Sequence, residues 1–401
     1  MRILHTSDWH IGKKLKEHDR TTEFRKFFAW LADVTARENI DALIVSGDIF
    51  DSRNPSAVSQ EIYYSFLAEI AGKSCRHAVI TSGNHDSAAL IDAPAGIMSR
   101  LDVHVVGRSR KDEIITLNDE SGNPEMIVCA VPFLREDDVI PAVNDEASEK
   151  SVRIREGIKS HYAEIFSRSL ETRGDYDIPI IATGHIFLQS GKTQPDEGER
   201  SIYLGTAPNV GTDIFPEYIA YTALGHLHSP QRIGRANIRY SGSPLAMSFG
   251  ELGATKTVSI VDFDGKNFAG IREIEIPVWQ KMTRIAGDMA GIEREIRSLI
   301  ALNESVWAEV TYTGNTQPVN LQERLAEMVR DSAVEILSIK DESPRETGGK
   351  NTPSTPITIK DMKPIEMLNL YFEEYRIPQE ERDIYMPLYM DILREMEIDA
   401  E

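Results

Sequence analysis

Cysteine is scarce in this sequence, since only Cys75 and Cys129 occur among 401 residues. Two cysteines cannot build the disulfide framework of a small secreted domain or the cysteine shell of a structural zinc site. They fit a reducing compartment, and we therefore expect the protein in the cytoplasm.

Long apolar runs are also missing. No stretch approaches the ~18 apolar residues of a membrane-spanning helix, and the opening residues MRILHTSDWH lack the basic and apolar segments of a secretory signal. We therefore expect no membrane association and no export.

Positive charge is in deficit: 44 Lys and Arg residues stand against 64 Asp and Glu residues, a formal net charge of −20. Such a chain is repelled as a whole by polyanions, so any binding to nucleic acid requires local cations or a partner. The hydrophobic fraction of 41% and charged fraction of 27% exclude global disorder. At ~150 residues per domain, the length predicts two to three domains.

Strands and helices alternate in the first part of the chain. Short apolar segments at 2–4, 42–46 and 77–82 predict strands, and helical spacing of apolar residues separates them. This rhythm is typical of βαβ units in a parallel sheet. A turn between 113–117 and 126–131 predicts an antiparallel hairpin. Further elements are a helix at 148–171 and strands at 178–183, 218–224, 257–265 and 271–277. We predict an α/β fold in which helices cover a two-sheet core.

The pattern changes after Pro277. A helix at 292–299, a strand at 306–312, a helix at 320–331 and a strand at 334–339 predict a small α+β domain. Residues 341–356 contain three prolines and no large apolar side chain, which predicts an extended linker. Two amphipathic helices are expected beyond it, around 364–375 and 379–397. The predicted segments are 1–277, 278–340, a linker at 341–360, and C-terminal helices at 361–401.

Short polar signatures follow several predicted strands. They are DWH at 8–10, GD at 47–48, GNH at 83–85, GH at 184–185 and GHLH at 225–228. Loops at the carboxyl ends of strands are where α/β folds place ligands, and glycine lets the backbone approach closely. Alone, each signature is weak, because such residues usually form turns or hydrogen-bonded pairs. Together, in this order, they predict a metal site.

Seven side chains are too many for one four-coordinate ion but suit two ions that share a carboxylate. The first ion would take Asp8, His10, Asp48 and His228, and the second Asp48, Asn84, His185 and His226. Mixed imidazole and oxygen donors favour manganese, iron, cobalt or zinc over magnesium or calcium. Two divalent ions would balance two carboxylates, a hydroxide and one phosphodiester, which indicates a phosphate substrate.

His85 follows the candidate ligand Asn84 but should point elsewhere, because neighbours on an extended loop diverge. Its near-neutral ordinary pKa suits a general acid for a leaving alkoxide. A packing role in the loop is the alternative. Asp51 or Asp86 could orient the ring, and Asp51 is the preferred candidate, although either could instead cap a backbone turn.

Cations near the DWH and GD signatures are candidate substrate contacts, namely Lys13, Lys14 and Arg53. A solvated charged surface is an equally good interpretation of these residues. Trp9 is expected to pack rather than stack on a base. No function is assigned to the remaining histidines, which are His5, His18, His77, His104 and His161.

Longer strings surround these signatures: HTSDWHIG at 5–12, GDIFDSRNP at 47–55, GNHDS at 83–87, IATGH at 181–185, ALGHLH at 223–228 and YSGSPLAMSFGE at 240–251. Together they resemble the DNA double-strand-break repair nucleases of the calcineurin-like metallophosphoesterase superfamily. The short signatures alone would mark only the superfamily, which also contains protein phosphatases and cyclic-nucleotide phosphodiesterases.

The resemblance implies a calcineurin-like two-sheet nuclease domain, a capping domain and partner-binding C-terminal helices. It implies a two-manganese exonuclease on double-stranded DNA and endonuclease on single-stranded or hairpin ends. It further implies a DNA repair complex with the ATPase SbcC and a homodimer of nuclease domains. All seven metal positions and His85 match the family motif, whereas the C-terminal helices match only in character.

Two other functions stay open. One is a small-molecule phosphatase or phosphodiesterase, which would act without a partner and ignore DNA. The other is a non-catalytic scaffold, which would be expected to have lost ligands. Residues 361–401 carry twelve acidic and four basic side chains, a net charge of −8, which argues against DNA as their target. We expect them to dock on the partner ATPase, and folding back onto the capping domain is the alternative.

Overall fold

A computed structural model describes residues 1–109, 112–139, 150–188, 210–315 and 320–343, together with ten residues between 368 and 389. The chain divides into two compact units, Met1–Pro344 and Arg345–Glu401. Among the described residues, no helix has the length and apolar character required to cross a bilayer.

The first sheet of the larger unit has six strands. They are β1 (Arg2–Thr6), β2 (Ala42–Ser46), β3 (His77–Thr81), β4 (Val103–Val106), β11 (Thr257–Asp264) and β12 (Asn267–Glu275), in the order β12-β11-β1-β2-β3-β4. Strands β1 to β4 are mutually parallel, which confirms the predicted parallel start, and β11 joins β1 antiparallel. The short edge strand β4 is absent from the sequence-based prediction.

The second sheet also has six strands. They are β5 (Ile114–Asn118), β6 (Pro124–Cys129), β7 (Ile180–His185), β8 (Ile219–Gly225), β9 (Gln231–Arg232) and β10 (Ile238–Tyr240), in the order β5-β6-β7-β8-β10-β9. The predicted hairpin is confirmed, because β5 and β6 pair antiparallel. Strands β6, β7 and β8 are parallel, so their carboxyl ends lie at one edge.

Helices cover the outer faces of both sheets. They are α1 (Thr21–Arg37), α2 (Ala57–Ile70), α3 (Ala88–Asp92), α4 (Ala95–Met98), α5 (Glu136–Val139) and α6 (Lys150–Arg173). Apolar faces of α1 and α2 bury one side of the first sheet, and α6 buries one side of the second. A third apolar layer, with Ile44 and Ile181 among its members, lies between the sheets. The α/β two-sheet prediction is therefore confirmed.

Trp9 belongs to the helix-facing core. Its ring is fully buried and meets Phe28 and Phe66 edge to face, with ring centroids 4.9 and 5.7 Å away. Its indole nitrogen donates to the Thr6 hydroxyl at 3.0 Å. Trp9 therefore packs in the core, as predicted.

A three-stranded sheet follows Pro277. It contains β13 (Lys281–Gly287), β14 (Val306–Tyr312) and β15 (Val334–Asp341), all parallel, with α7 (Met289–Ala301) and α8 (Leu321–Val329) packed against it. Strand β13 was not predicted, and β15 extends one residue into the segment predicted as linker. Trp307 of β14 packs with Leu15 and Phe249, which fixes this sheet to the remainder of the larger unit.

The smaller unit is described at ten positions. Nine of them are helical: Leu368, Tyr371, Phe372, Gln379, Arg382, Tyr385, Met386, Leu388 and Tyr389. The Arg382 guanidinium donates to the Phe372 carbonyl oxygen at 2.8 Å and lies 5.6 Å from the centre of the Phe372 ring. This contact joins the two predicted helical segments. Most of the predicted linker lies outside the described residues.

Candidate metal centre

The carboxyl ends of the parallel strands of both sheets meet at one edge, and the candidate ligands lie there. Loops after the first three strands of the first sheet carry Asp8, His10, Asp48 and Asn84, while β7 and the loop after β8 carry His185, His226 and His228. Except for the partly buried Asn84, all seven are buried. The structure therefore brings all seven predicted ligands to one place.

The backbone of these loops is unusual. Four of the ligands have a left-handed conformation, with φ of 51° at Asp8, 46° at His10, 50° at Asp48 and 96° at His226. Each such residue costs about 1–3 kcal/mol and persists only where its surroundings hold it. Backbone hydrogen bonds from Asp8 to Gly47 and from His10 to Asp48, both 3.0 Å, hold the first two loops side by side.

Glycine is required where these loops approach one another. Gly47 has φ of 86°, and a side chain there would collide with the His185 ring. A side chain at Gly225 would collide with the carbonyl oxygen of Ser46. The signature glycines thus let the two sheet ends close around the ligands.

Three donors suit the first ion. The Nε2 atoms of His10 and His228 face each other at 3.1 Å, and a carboxylate oxygen of Asp8 completes a set whose donors lie within 4.8 Å of one another. Asp48 Oδ2 lies 3.5 Å from His10 Nε2. Two inward-facing imidazole nitrogens this close need a proton or a cation between them.

The second set lies on the other side of Asp48. His185 Nε2 is 3.2 Å from Asp48 Oδ2 and 3.0 Å from Asn84 Oδ1, and His226 Nδ1 is 3.2 Å from the same amide oxygen. Asp48 Oδ2 is buried and accepts no hydrogen bond of good geometry from any part of the chain that the structure describes. An orphaned carboxylate oxygen between two donor sets fits a bridging ligand.

Hydrogen bonds behind the rings set the histidine tautomers. His185 Nδ1 donates to the Ser46 carbonyl oxygen at 2.9 Å, and His228 Nδ1 donates to Glu251 Oε1 at 3.0 Å. Each ring therefore turns its Nε2 toward the centre, where that nitrogen can bind a cation in place of a proton. Ligating histidines in metalloproteins are usually fixed in this way.

Glu251 is held by a buried group of donors. Its second oxygen accepts from Lys256 Nζ at 2.5 Å, from the Met247 amide at 3.1 Å and from the Ser243 hydroxyl at 3.4 Å. Burial alone would raise the pKa of Glu251, but His228 and Lys256 outweigh burial and lower the pKa to about 2. Glu251 is the last residue of the string at 240–251 and was given no role from sequence. Only that string could have indicated it.

The charges around Asp48 attract cations. Burial would raise the pKa of Asp48, but nearby His185 and His10 hold that pKa below its ordinary value. Conversely, the Asp48 carboxylate raises the pKa of His185 to about 10 although burial opposes this. A divalent cation can take the place of the proton that this site would otherwise bind. The donor chemistry, the orphaned oxygen and the fixed tautomers all fit a two-metal site.

His85 points beside the ligands. Its backbone amide donates to Asp48 Oδ1 at 2.9 Å, and its ring lies edge-on to that of His10 with centroids 4.8 Å apart. Its Nδ1 donates to the backbone carbonyl oxygen of Asp51 at 3.0 Å. The orienting group is thus the main chain of Asp51, and the carboxylate of Asp51 instead lies 3.0 Å from Lys13 Nζ and 3.6 Å from His10 Nδ1.

Asp86 has a different task from Asp51. Its carboxylate accepts three backbone N–H bonds, from Ile49 at 3.0 Å, Phe50 at 2.9 Å and Gly83 at 2.8 Å. These bonds join the loop after β2 to the loop after β3. Asp86 therefore fixes the separation of Asp48 and Asn84 and does not orient His85.

The predicted substrate cations differ in their surroundings. Lys13 is half-buried against Asp51, whereas Lys14 is exposed and lies 3.9 Å from Glu17. Arg53 is exposed in the loop that follows Asp51. Among the described contacts of these three cations, that of Lys13 comes nearest to the ligands, because its partner Asp51 lies 3.6 Å from His10 Nδ1.

The chain is similar in sequence to known proteins over most of its length. A profile of the calcineurin-like phosphoesterases matches residues 1–230, and the SbcD_C profile, described as type 5 capsule protein repressor C-terminal domain, matches residues 278–376. The chain is 32% identical over 345 residues to the SbcD subunit of nuclease SbcCD from Escherichia coli strain K12, covering 85% of each protein. It is 36% identical over 297 residues to SbcD of Rhodobacter capsulatus, covering 71% of each. For SbcD of Bacillus subtilis, the identity is 35% over 264 residues, covering 65% of this chain and 66% of that one.

Proposed function

This chain belongs to the calcineurin-like phosphoesterases and, within them, to the SbcD family, and on that premise we propose that it is a metal-dependent DNA nuclease. The observation that carries the proposal is the convergence of seven ligand side chains and His85 at the sheet edge. We assign it double-strand exonuclease and single-strand or hairpin endonuclease activity, with phosphodiesters as substrates.

The ligand set supports two divalent ions; its mixed imidazole and oxygen donors suit manganese, iron, cobalt or zinc, and of these we propose manganese because of the resemblance to the repair nucleases. Asp8, His10, Asp48 and His228 would hold one, and Asp48, Asn84, His185 and His226 the other. When bound, the ions would supply Lewis acidity to the phosphoryl group and lower the pKa of an attacking water. Asp48, whose Oδ2 faces both sets, would hold the two ions together.

His85 is proposed as the general acid. Because its Nδ1 donates to the Asp51 carbonyl oxygen, Nε2 is the nitrogen that gains and loses a proton. In the cleavage step a proton would pass from Nε2 to the leaving oxygen of the nucleotide as the P–O bond breaks. The Asp48 contact to the His85 amide keeps this ring in register with the metal ligands.

DNA affinity needs a source, given the net charge of −20. Lys13, Lys14 and Arg53 could contact the phosphate backbone near the site, but Lys13 is already paired with Asp51. We therefore propose that most of the affinity comes from a partner, the ATPase SbcC, because the phosphates must be offset by cations. We also propose that the protein acts in DNA repair and recombination. In this proposal it works in the cytoplasm, and its nuclease domains form a homodimer.

We propose four segments: a nuclease domain at 1–277, a capping domain at 278–340, a linker at 341–360 and partner-binding helices at 361–401.

Exposed apolar side chains in the tail support docking on another chain, since Tyr371, Tyr385 and Leu388 are 52, 48 and 57% exposed. Removal of residues after 345 should abolish binding to SbcC while Met1–Pro344 stays folded. Leu388→Asp should weaken binding, whereas Leu302→Asp, at a 59% exposed site in the capping domain, should not. Unchanged SbcC affinity in the truncated protein would contradict the docking role.

The decisive experiment supplies manganese and two substrates, a labelled linear duplex and bis-p-nitrophenyl phosphate, with and without SbcC. We expect nucleotide release that requires manganese, falls by roughly 10²-fold or more in His85→Asn and survives in the control His18→Asn. Cleavage of the small ester alone, even with SbcC present, would identify a small-molecule phosphodiesterase. No cleavage of either substrate would identify a scaffold.

A further inference from the structure

Three side chains without an assigned role meet at the end of the first sheet that lies opposite the candidate metal centre. His77 is the first residue of β3, Asp102 immediately precedes β4, and His104 is the second residue of β4. The strands are parallel, with Ala78 opposite Val103 and Val79 opposite His104. Side chains alternate along a strand, so His77 and His104 share the face that Val79 presents to the second sheet.

This place is remote from the candidate metal centre. The loop that carries Asn84 and His85 follows the carboxyl end of β3, whereas His77 is at the amino end of that strand. At ~3.3 Å per residue, the four steps from His77 to Thr81 along β3 put about 13 Å of strand between the cluster and the start of the loop that carries Asn84. The cluster therefore cannot be an extension of the ligand set described above.

The ring of His77 turns its Nδ1 atom toward the other two side chains. Its Nε2 donates to the carbonyl oxygen of Asn118, at the end of β5, at 2.8 Å, which leaves the lone pair on Nδ1. The side chain is only 9% exposed, and Nδ1 has no hydrogen-bond partner within the described ranges. A buried, unprotonated nitrogen without a donor lacks the interaction that its burial requires.

Asp102 and His104 complete the donor set. The Asp102 Oδ1 atom lies 4.0 Å from His77 Nδ1, and the donor atoms of all three residues lie within 4.8 Å of one another. Burial, followed by the proximity of His77, lowers the pKa of His104 and keeps its ring neutral, the form that binds metal. Donors on one tetrahedral ion are about 3.4 Å apart, so the 65% exposed Asp102 side chain needs only a small movement.

We propose that His77, Asp102 and His104 form a separate metal site that takes a zinc-type divalent ion. Two imidazoles and one carboxylate select such an ion over magnesium or calcium, and water would occupy the remaining position. The ion would join the edge strand β4 to β3 beside the end of β5. This role is structural and does not depend on the proposed nuclease activity.

The test counts zinc ions on the full chain after chelation, by equilibrium dialysis against ZnCl₂. We expect His104→Gln to bind one zinc equivalent fewer than the wild type, whatever number the sheet-edge centre holds. The control His18→Gln removes a histidine whose side chain is 38% exposed near Trp307, and it should bind as many ions as the wild type.

Asp102→Asn provides a second variant that should not disturb folding. Asparagine keeps the shape and tolerates the left-handed φ of 55° at this exposed position. We expect it to weaken zinc binding at one site at least 10-fold, while the wild type gains thermal stability from that equivalent of zinc. Equal stoichiometry and affinity in the wild type and both cluster variants would overturn the proposal. An equal loss in His18→Gln would also overturn it, because binding would then be nonspecific.

Discussion

Glu251→Gln tests how the protein prepares His228 for metal. The Glu251 oxygen that faces away from His228 accepts from Lys256, Met247 and Ser243, all of them donors. A glutamine must turn its amide oxygen toward those donors, so its NH₂ group would face His228 Nδ1. His228 would then carry its proton on Nε2, the nitrogen that faces His10 at 3.1 Å.

The expected loss follows from that tautomer change. Removing a group that orients a ligating histidine typically costs 10–100-fold in metal affinity, or about 1.4–2.7 kcal/mol. We expect manganese affinity measured by calorimetry to fall by this amount, and excess manganese to restore most of the cleavage rate. Wild-type manganese affinity in Glu251→Gln would refute the reasoning.

Two controls separate metal binding from folding. Glu61→Gln makes the same change at an exposed glutamate paired with Arg25 and should leave metal affinity unchanged. The single variant also leaves the buried Lys256 ammonium without its partner, which can cost about 3–5 kcal/mol in stability. Glu251→Gln combined with Lys256→Met should recover stability but not metal affinity.

The pH dependence of stability gives an independent check on Glu251. Its folded pKa of about 2 lies below the ordinary 4.5, so its stabilising contribution is complete above pH 4.5 and is lost as pH falls toward 2. The gap corresponds to about 3 kcal/mol. Denaturant unfolding of the chelated protein between pH 5 and 3 should therefore show a steeper loss of stability in the wild type than in Glu251→Gln. Identical slopes would mean that the pKa of Glu251 is not lowered in the folded state.

Three further predictions concern the ligands and the thiols. His85→Asn should reduce phosphodiester cleavage by roughly 10²-fold or more with both metals retained, as expected for loss of a general acid; metal loss measured by atomic emission would instead make His85 a ligand. Asp48→Ala should lower metal occupancy more than Asp8→Ala, because Asp48 Oδ2 lies 3.5 Å from His10 Nε2 in one donor set and 3.2 Å from His185 Nε2 in the other, and two bound metals with unchanged cleavage would exclude bridging. Burial raises the pKa of both Cys75 and Cys129 to about 12, so neither native thiol should react with a maleimide at pH 8 until the protein unfolds.

Ligand positions were predictable because local signals mark them. A strand ending in glycine and a polar residue determines both where the chain turns and which donor it presents, as at Gly47 and Asp48. Orientation was harder to predict. The sequence cannot show that the main chain of Asp51, rather than its carboxylate, would receive the His85 hydrogen bond, since both possibilities involve the same residue.

Contacts that depend on strand register were missed. Strand β4 has only four residues, and without it nothing in the sequence pairs Val79 with His104. The cluster of His77, Asp102 and His104 could therefore not be predicted, although each residue is plain in the sequence. Strand β13 was missed for a related reason, because only two of its seven side chains, Met282 and Ile285, are large and apolar.

The left-handed ligands limit how this centre can be redesigned. Asp8, His10, Asp48 and His226 all belong to the few residue types that adopt positive φ with some frequency. Glutamate and cysteine adopt positive φ less often, although Glu17 does so in this chain with φ of 69°. Exchange of these donors to suit a softer or harder ion would therefore be penalised by the main chain before any metal is added. The selectivity of the centre is in this sense partly a property of its peptide backbone.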